Sequence, residues 1–136
     1  MLKRLREKEE RIAEVLTALA EESVKGTPIL VEGKKDVETL RTLGIEGPVI
    51  SVKTGGKSFL DVVSELEKSK TRRVILFLDF DRRGKEGTRR LKQNLEKAKI
   101  KTDIEFWRAL SRLAGRDVQC VEGLMAYLEK LRTKVA

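Results

Sequence analysis

The chain has 136 residues, 40% apolar and 38% charged, and its 30 Lys and Arg against 22 Asp and Glu leave a net charge of +8. That is the size of one globular domain, and the positive excess favours a polyanion as partner, nucleic acid before membrane. With no histidine and one cysteine, Cys120, it excludes histidine-dependent nucleophiles, the common zinc ligand sets and an internal disulfide, while no apolar run nears the ~20 residues that span a bilayer, so a cytoplasmic protein is expected.

Between Leu2 and Val24, apolar Leu5, Ile12, Val15, Leu16 and Leu19 recur at three- and four-residue steps. This predicts an amphipathic helix that covers a sheet or pairs with another helix. An exposed part of its stripe is where a homodimer would form. Gly26-Thr27-Pro28 stops it.

Ile29-Leu30-Val31-Glu32 reads as a first strand, with Gly33 where the chain must turn. Asp36 is placed to cap a helix from Val37 to about Leu43, which Gly44 ends. Val49 to Val52 predicts a second strand. The loop Lys53-Thr54-Gly55-Gly56-Lys57 leads from it to a helix capped by Ser58 and built on Phe59, Leu60, Val63 and Leu66.

Arg73 to Asp79 is the most strand-like stretch, an apolar run closed by Asp79-Phe80-Asp81-Arg82-Arg83-Gly84. If strand geometry persists through Asp81, the carboxylates at 79 and 81 share a face, because side chains alternate with period two. Two such charges repel unless a cation lies between them, and hard oxygen ligands without histidine or thiol point to Mg²⁺ or Mn²⁺. A turn and a helix cap explain the same pair equally well, and the pattern alone leaves both readings open.

A helix from about Lys85 to Lys99 follows, with Leu91, Leu95 and Ala98 facing inward. Ile100 to Ile104 predicts a short fourth strand, and helices at Glu105 to Ala114 and Val121 to Leu131 finish the chain. Strands alternating with helices imply crossovers and a parallel sheet with helices on its faces. In such sheets ligands bind off the carboxyl ends of the strands, where Glu32, the Thr54-Gly55-Gly56 loop, Asp79 and Asp81 all fall.

If the first and third strands are neighbours, three carboxylates meet in a small volume, and burial with mutual repulsion raises the proton affinity of one of them. Glu32 is then the candidate general acid or base, with the aspartates left to hold metal. Thr54, the amides of Gly55 and Gly56, and Lys57 are candidate phosphate contacts near a helix start, although a plain connection explains that loop as well. Its spacing is not that of an ATP-binding P-loop. Arg82, Arg83 and Lys85 crowd the same end and would attract phosphates that the aspartates alone repel; the basic residues further along read as a solvated face. Tyr127, Trp107, Phe106 and Cys120 read as packing residues, and Asp117 and Glu122 as caps or surface acids that stand open as further members of the crevice.

Val-Glu-Gly-Lys-Lys-Asp at 31 to 36, followed by Leu-Asp-Phe-Asp-Arg-Arg-Gly at 78 to 84, resembles the Toprim domain shared by topoisomerases, DnaG-type primases, OLD-family nucleases and the ribonuclease that matures 5S ribosomal RNA. The resemblance implies an α/β, Rossmann-like fold with a parallel four-stranded sheet flanked by helices. It implies Glu32 as acid or base, Mg²⁺ (or Mn²⁺) on Asp79 and Asp81 with Glu32, turns shaped by Gly33 and Gly84, and Lys34 among the phosphate contacts. On this reading residues 1–26 form a helix packed on the core, 27–105 the Toprim domain, and 106–136 a helical extension of the same unit. The chain lacks the tyrosine-bearing domain of topoisomerases and the zinc-binding region of primases. The expected function is Mg²⁺-dependent phosphodiester chemistry on RNA or DNA, in the manner of a nuclease. The alternative is a non-catalytic nucleic-acid-binding module of a larger repair or RNA-processing complex.

Overall fold

A computed structural model describes residues 1–53 and 58–135. In chain order the elements are α1 (Leu2–Val24), β1 (Ile29–Val31), α2 (Lys34–Thr42), β2 (Val49–Ser51), α3 (Phe59–Lys68), β3 (Arg73–Leu76), α4 (Arg82–Lys97), β4 (Lys101–Asp103), α5 (Glu105–Ala114), a 3-10 turn at Val121–Gly123 and α6 (Leu124–Val135). The four strands form one parallel sheet in the order β2-β1-β3-β4, with Leu30 in register with both Ile50 and Leu76. The α/β class, the four parallel strands and the flanking helices are those expected from the sequence.

Strand alternation divides the core in two. Ile29, Val31, Ile75 and Phe77 face a cluster completed by Ile12, Leu16 and Leu19 of α1 and by Leu110, Leu124 and Leu128 of α5 and α6. Leu30, Val74, Leu76 and Leu78 face the other cluster, with Val62, Val63 and Leu66 of α3 and Leu91 and Leu95 of α4. β1 and β3 are therefore covered on both sides, which is why they read as unbroken apolar runs.

Some boundaries differ from expectation for local reasons. α2 begins at Lys34 with Gly33 as its N-cap, and Asp36 acts from inside the first turn, its Oδ2 accepting the Gly33 N–H at 2.9 Å. α4 begins at Arg82 because Asp81 caps it. Leu60, expected on the inner side of α3, is 67% exposed, and Val62 takes an inward position instead. The apolar stripe of α1, considered for a homodimer, is buried against α5 and α6 of the same chain. Among the described residues no helix is long and apolar enough to cross a membrane.

Candidate active site

β1 and β3 are hydrogen-bonded neighbours, so the residues that follow them emerge side by side. Glu32 follows β1 directly, and Asp79 lies three residues beyond β3. The backbone bonds Val52 N–H to Val31 O (2.9 Å) and Lys53 N–H to Glu32 O (3.2 Å) extend the pairing of β1 with β2 past the strand ends. They bring Lys53 alongside Glu32, and its ammonium pairs with Glu32 Oε1. The other oxygen, Oε2, is buried with no hydrogen-bond donor. Only 17% of the Glu32 side chain is exposed.

Asp79 stands beside Glu32, and the two carboxyls titrate as a pair. Burial, and then the neighbouring Glu32 carboxyl, push Asp79 up to about 7. Burial also acts to raise Glu32, but the Lys53 ammonium and the Asp79 carboxyl together outweigh it and hold Glu32 below its ordinary value. Two carboxyls so close do not both ionise freely, and their titration belongs to the pair. The sequence pointed to Glu32 as the candidate acid or base; in the fold burial raises the proton affinity of Asp79, while Lys53 helps hold Glu32 low.

The link between Asp79 and the rest of the chain comes largely from beyond residue 105. Asp79 Oδ1 accepts the N–H of Val121 at 3.1 Å. The Trp107 indole N–H reaches the carbonyls of Leu78 (2.9 Å) and Asp79 (3.3 Å), and Phe80 N–H donates to Gln119 O at 2.8 Å. Gly84 packs so closely that a Cβ there would overlap the Asp79 carbonyl. Gly84 therefore lies inside the first turn of α4 and serves close approach, where a turn-shaping role was expected. Gly33 caps α2 with extended backbone (φ −139°).

Asp81 departs from the shared-face arrangement. β3 ends at Leu76, and Phe80 turns into the cluster that holds Phe77, its ring edge-on to Phe77 at 6.2 Å. Period-two alternation is thus broken before Asp81. The Asp81 carboxylate caps α4, Oδ1 accepting Gly84 N–H at 2.8 Å. Among the described residues no three Asp, Glu or Cys side chains gather to hold an ion by themselves.

Other candidates fall around this centre. Lys34, Arg83 and Lys85 are exposed on the first turns of α2 and α4, and Arg82 is exposed and paired with Glu86 at 3.6 Å. Thr54, Gly55, Gly56 and Lys57 lie outside the described residues. Asp117 is drawn away into an exposed contact with Lys8 (3.2 Å) and the Tyr127 hydroxyl (3.0 Å). Glu122 is exposed on the 3-10 turn; its charge, after burial and with that of Glu32, helps keep the buried Asp36 carboxyl above its ordinary value. Sequence reasoning missed Lys53, Val121 and Trp107. Nothing in local pattern marks a tryptophan 28 residues downstream as a support for Asp79.

The donor set fits a hard divalent cation. Glu32 Oε2 is a buried acceptor without a donor, Asp79 stands beside it, and every available ligand atom is oxygen. Mg²⁺ binds through one or two carboxylates and keeps much of its water, so two converging acids suffice.

A model of the Toprim domain matches residues 26–105. The chain is similar to a UPF0292 protein of Methanosarcina barkeri, 34% identical over 95% of this chain and 88% of that one, and to a UPF0292 protein of Methanocaldococcus jannaschii, 32% identical over 89% and 92%. It is also similar to a solved structure of a protein from Aquifex aeolicus, with a TM-score of 0.69 and 31% identity over 82% of this chain and 95% of that one.

Proposed function

The chain belongs to the Toprim domain family, and on that premise we propose that it performs Mg²⁺-dependent phosphodiester chemistry on nucleic acid, as a nuclease-like protein acting on RNA or DNA. The observation that carries this reading is the buried, donorless Oε2 of Glu32 beside the Asp79 carboxyl, at the carboxyl ends of adjacent parallel strands.

Glu32 and Asp79 would hold Mg²⁺, or Mn²⁺ in its stead, and Asp81, which gives one oxygen to the α4 cap, would be a further oxygen ligand. The bound ion supplies charge stabilisation to a phosphodiester as negative charge develops on it. Lys53 neutralises Glu32 before the ion arrives and is then free to meet a phosphate oxygen. Arg83 and Lys85, with Lys34 across the crevice and Thr54 to Lys57 in the loop, would bind and orient the strand. Glu32, beside Asp79 at the ends of adjacent strands, is the residue assigned to move a proton at the attacking or leaving oxygen.

The test is incubation of purified protein with end-labelled RNA and DNA in Mg²⁺. Wild type cuts, and Glu32→Gln and Asp79→Asn do not. Cutting that persists in both variants comes from a contaminant and overturns the proposal. A second reading, a binding module without chemistry, is favoured by one observation: Asp81 commits an oxygen to its helix, leaving no three-carboxylate cluster among the described residues. It predicts salt-sensitive binding that survives loss of all three acids.

A further inference from the structure

Beside the acid pair lies a recess of about 220 Å³ lined by Glu32, Lys53, Phe59, Leu78, Arg83 and Arg90, among others. We propose that it seats one unpaired terminal nucleotide of a single strand, with its terminal phosphate on Arg83 and Arg90 and its base against Phe59. The inference rests on the nucleic-acid reading above but needs neither metal nor cleavage.

One wall is a single face of α4. Arg83, Glu86, Gly87 and Arg90 stand at i, i+3, i+4 and i+7 and so point the same way. Both arginines line the space, and neither has an ion-pair partner among the described residues, whereas Glu86, the acid of this face, is already paired with Arg82. Two guanidinium groups with no ion-pair partner among the described residues suit a phosphate dianion, which accepts bidentate hydrogen bonds from each. Sequence reasoning assigned Arg90 to a solvated face because only the fold brings it over the ends of β1 and β3.

The floor is apolar, built from Val52, Leu78 and the half-buried ring of Phe59. Gly87 lets α4 sit close on this floor: a Cβ there would meet Leu78 Cδ1 at 3.3 Å and Phe59 Cζ at 3.5 Å. A glycine inside a helix is unfavourable unless close approach requires it. An aromatic ring under a cationic rim is the arrangement by which proteins hold unpaired bases, since any base can stack on it. A duplex keeps its bases stacked on one another and presents none to such a ring. The recess falls below the ~300–1,000 Å³ usual for drug-sized ligands, which limits it to one nucleotide. Glu32 lies in its wall, so an occupant would bring its phosphate beside the acid pair.

The experiment measures binding in EDTA at fixed salt, so that no metal chemistry contributes. The probes are a fluorescent single-stranded oligonucleotide with a 5′-phosphate, its 3′-phosphate isomer, the strand with hydroxyls at both ends, a blunt duplex and a free nucleoside monophosphate. At least one phosphorylated single strand is expected to bind about tenfold tighter than the hydroxyl strand, and the two isomers show which end is held. A free monophosphate binding as well as the strand would identify a mononucleotide as the ligand and overturn the strand-end proposal. Phe59→Leu, which keeps apolar bulk but removes the stacking face, should weaken binding about tenfold. Arg90→Gln should abolish the advantage of the phosphate, while Arg112→Gln on α5 changes nothing. Arg90 is exposed, so its variant serves if Phe59→Leu does not fold. Equal binding of phosphorylated and hydroxyl ends, or of single strand and duplex, overturns the proposal. Cleavage without end preference removes the recess and leaves the chemistry standing. End preference in wild type with no cleavage supports the recess and removes the chemistry.

Discussion

The backbone N–H of Val121 donates to Asp79 Oδ1 at 3.1 Å across 42 residues of sequence. The 3-10 turn before α6 therefore holds the acid that follows β3, and the C-terminal helices form part of the site's support. That bond also favours the ionised carboxylate, yet burial and the Glu32 carboxyl prevail and raise Asp79 to about 7.

Asp79→Asn is expected to stabilise the metal-free protein at high pH. The folded state holds a proton on Asp79 up to about pH 7, whereas the unfolded chain releases it near 3.8, so wild type loses stability as pH rises between those values. Asparagine keeps an acceptor for Val121 and does not ionise. Thermal melts in EDTA should show the variant and wild type alike at pH 4 and the variant a few degrees higher at pH 8. A constant gap across that range would contradict the shift.

Added Mg²⁺ should raise the melting temperature of wild type at pH 8, by an amount equivalent to about 2.7 kcal/mol at a hundred times its dissociation constant. Glu32→Gln should lose that response. Lys53→Met, which removes the cation on Glu32 Oε1, should bind the ion several-fold more tightly, since two positive charges no longer compete for one carboxylate. An unchanged titration midpoint in Lys53→Met would show that Lys53 does not compete.

Trp107→Phe removes the indole N–H shared by the Leu78 and Asp79 carbonyls and leaves those acceptors underserved. The expected loss is about 1–3 kcal/mol, read as a lower urea midpoint with unchanged slope. Retention of full stability would mean that water replaces the indole.

Gly84→Ala forces a methyl into the Asp79 carbonyl. Overpacking of this kind costs about 1–3 kcal/mol, and relief requires the α4 terminus to move away from the acid. The variant should melt lower and respond less to Mg²⁺ than wild type. A Mg²⁺ response equal to wild type would show that the close approach does not govern the site.

Much of the fold is legible because its signals are local. The apolar runs at 29 to 31 and 74 to 76, the period of α1 and the Ser58 cap each depend on neighbours in sequence. The two motifs carrying Glu32 and Asp79 are legible for the same reason. The expected common face for Asp79 and Asp81 did not follow, because Phe80 gains more from burial beside Phe77 than the chain gains from one more strand residue. Leu60 misled in a related way: it is apolar, but the helical phase set by Val62, Val63 and Leu66 turns it to solvent.

By itself the sequence determined the alternation of strands and helices, the hard-oxygen character of the acids and the positive charge around them, since residue type and short-range period suffice for each. Only the tertiary structure decided that Lys53 rests on Glu32, that burial raises the proton affinity of Asp79, that Trp107 and Val121 support it, and that Arg83, Arg90 and Phe59 line one recess. Those relations join positions far apart in the chain, and they arise when parallel pairing of β1, β2 and β3 brings their ends together and partly shields two carboxyls at once.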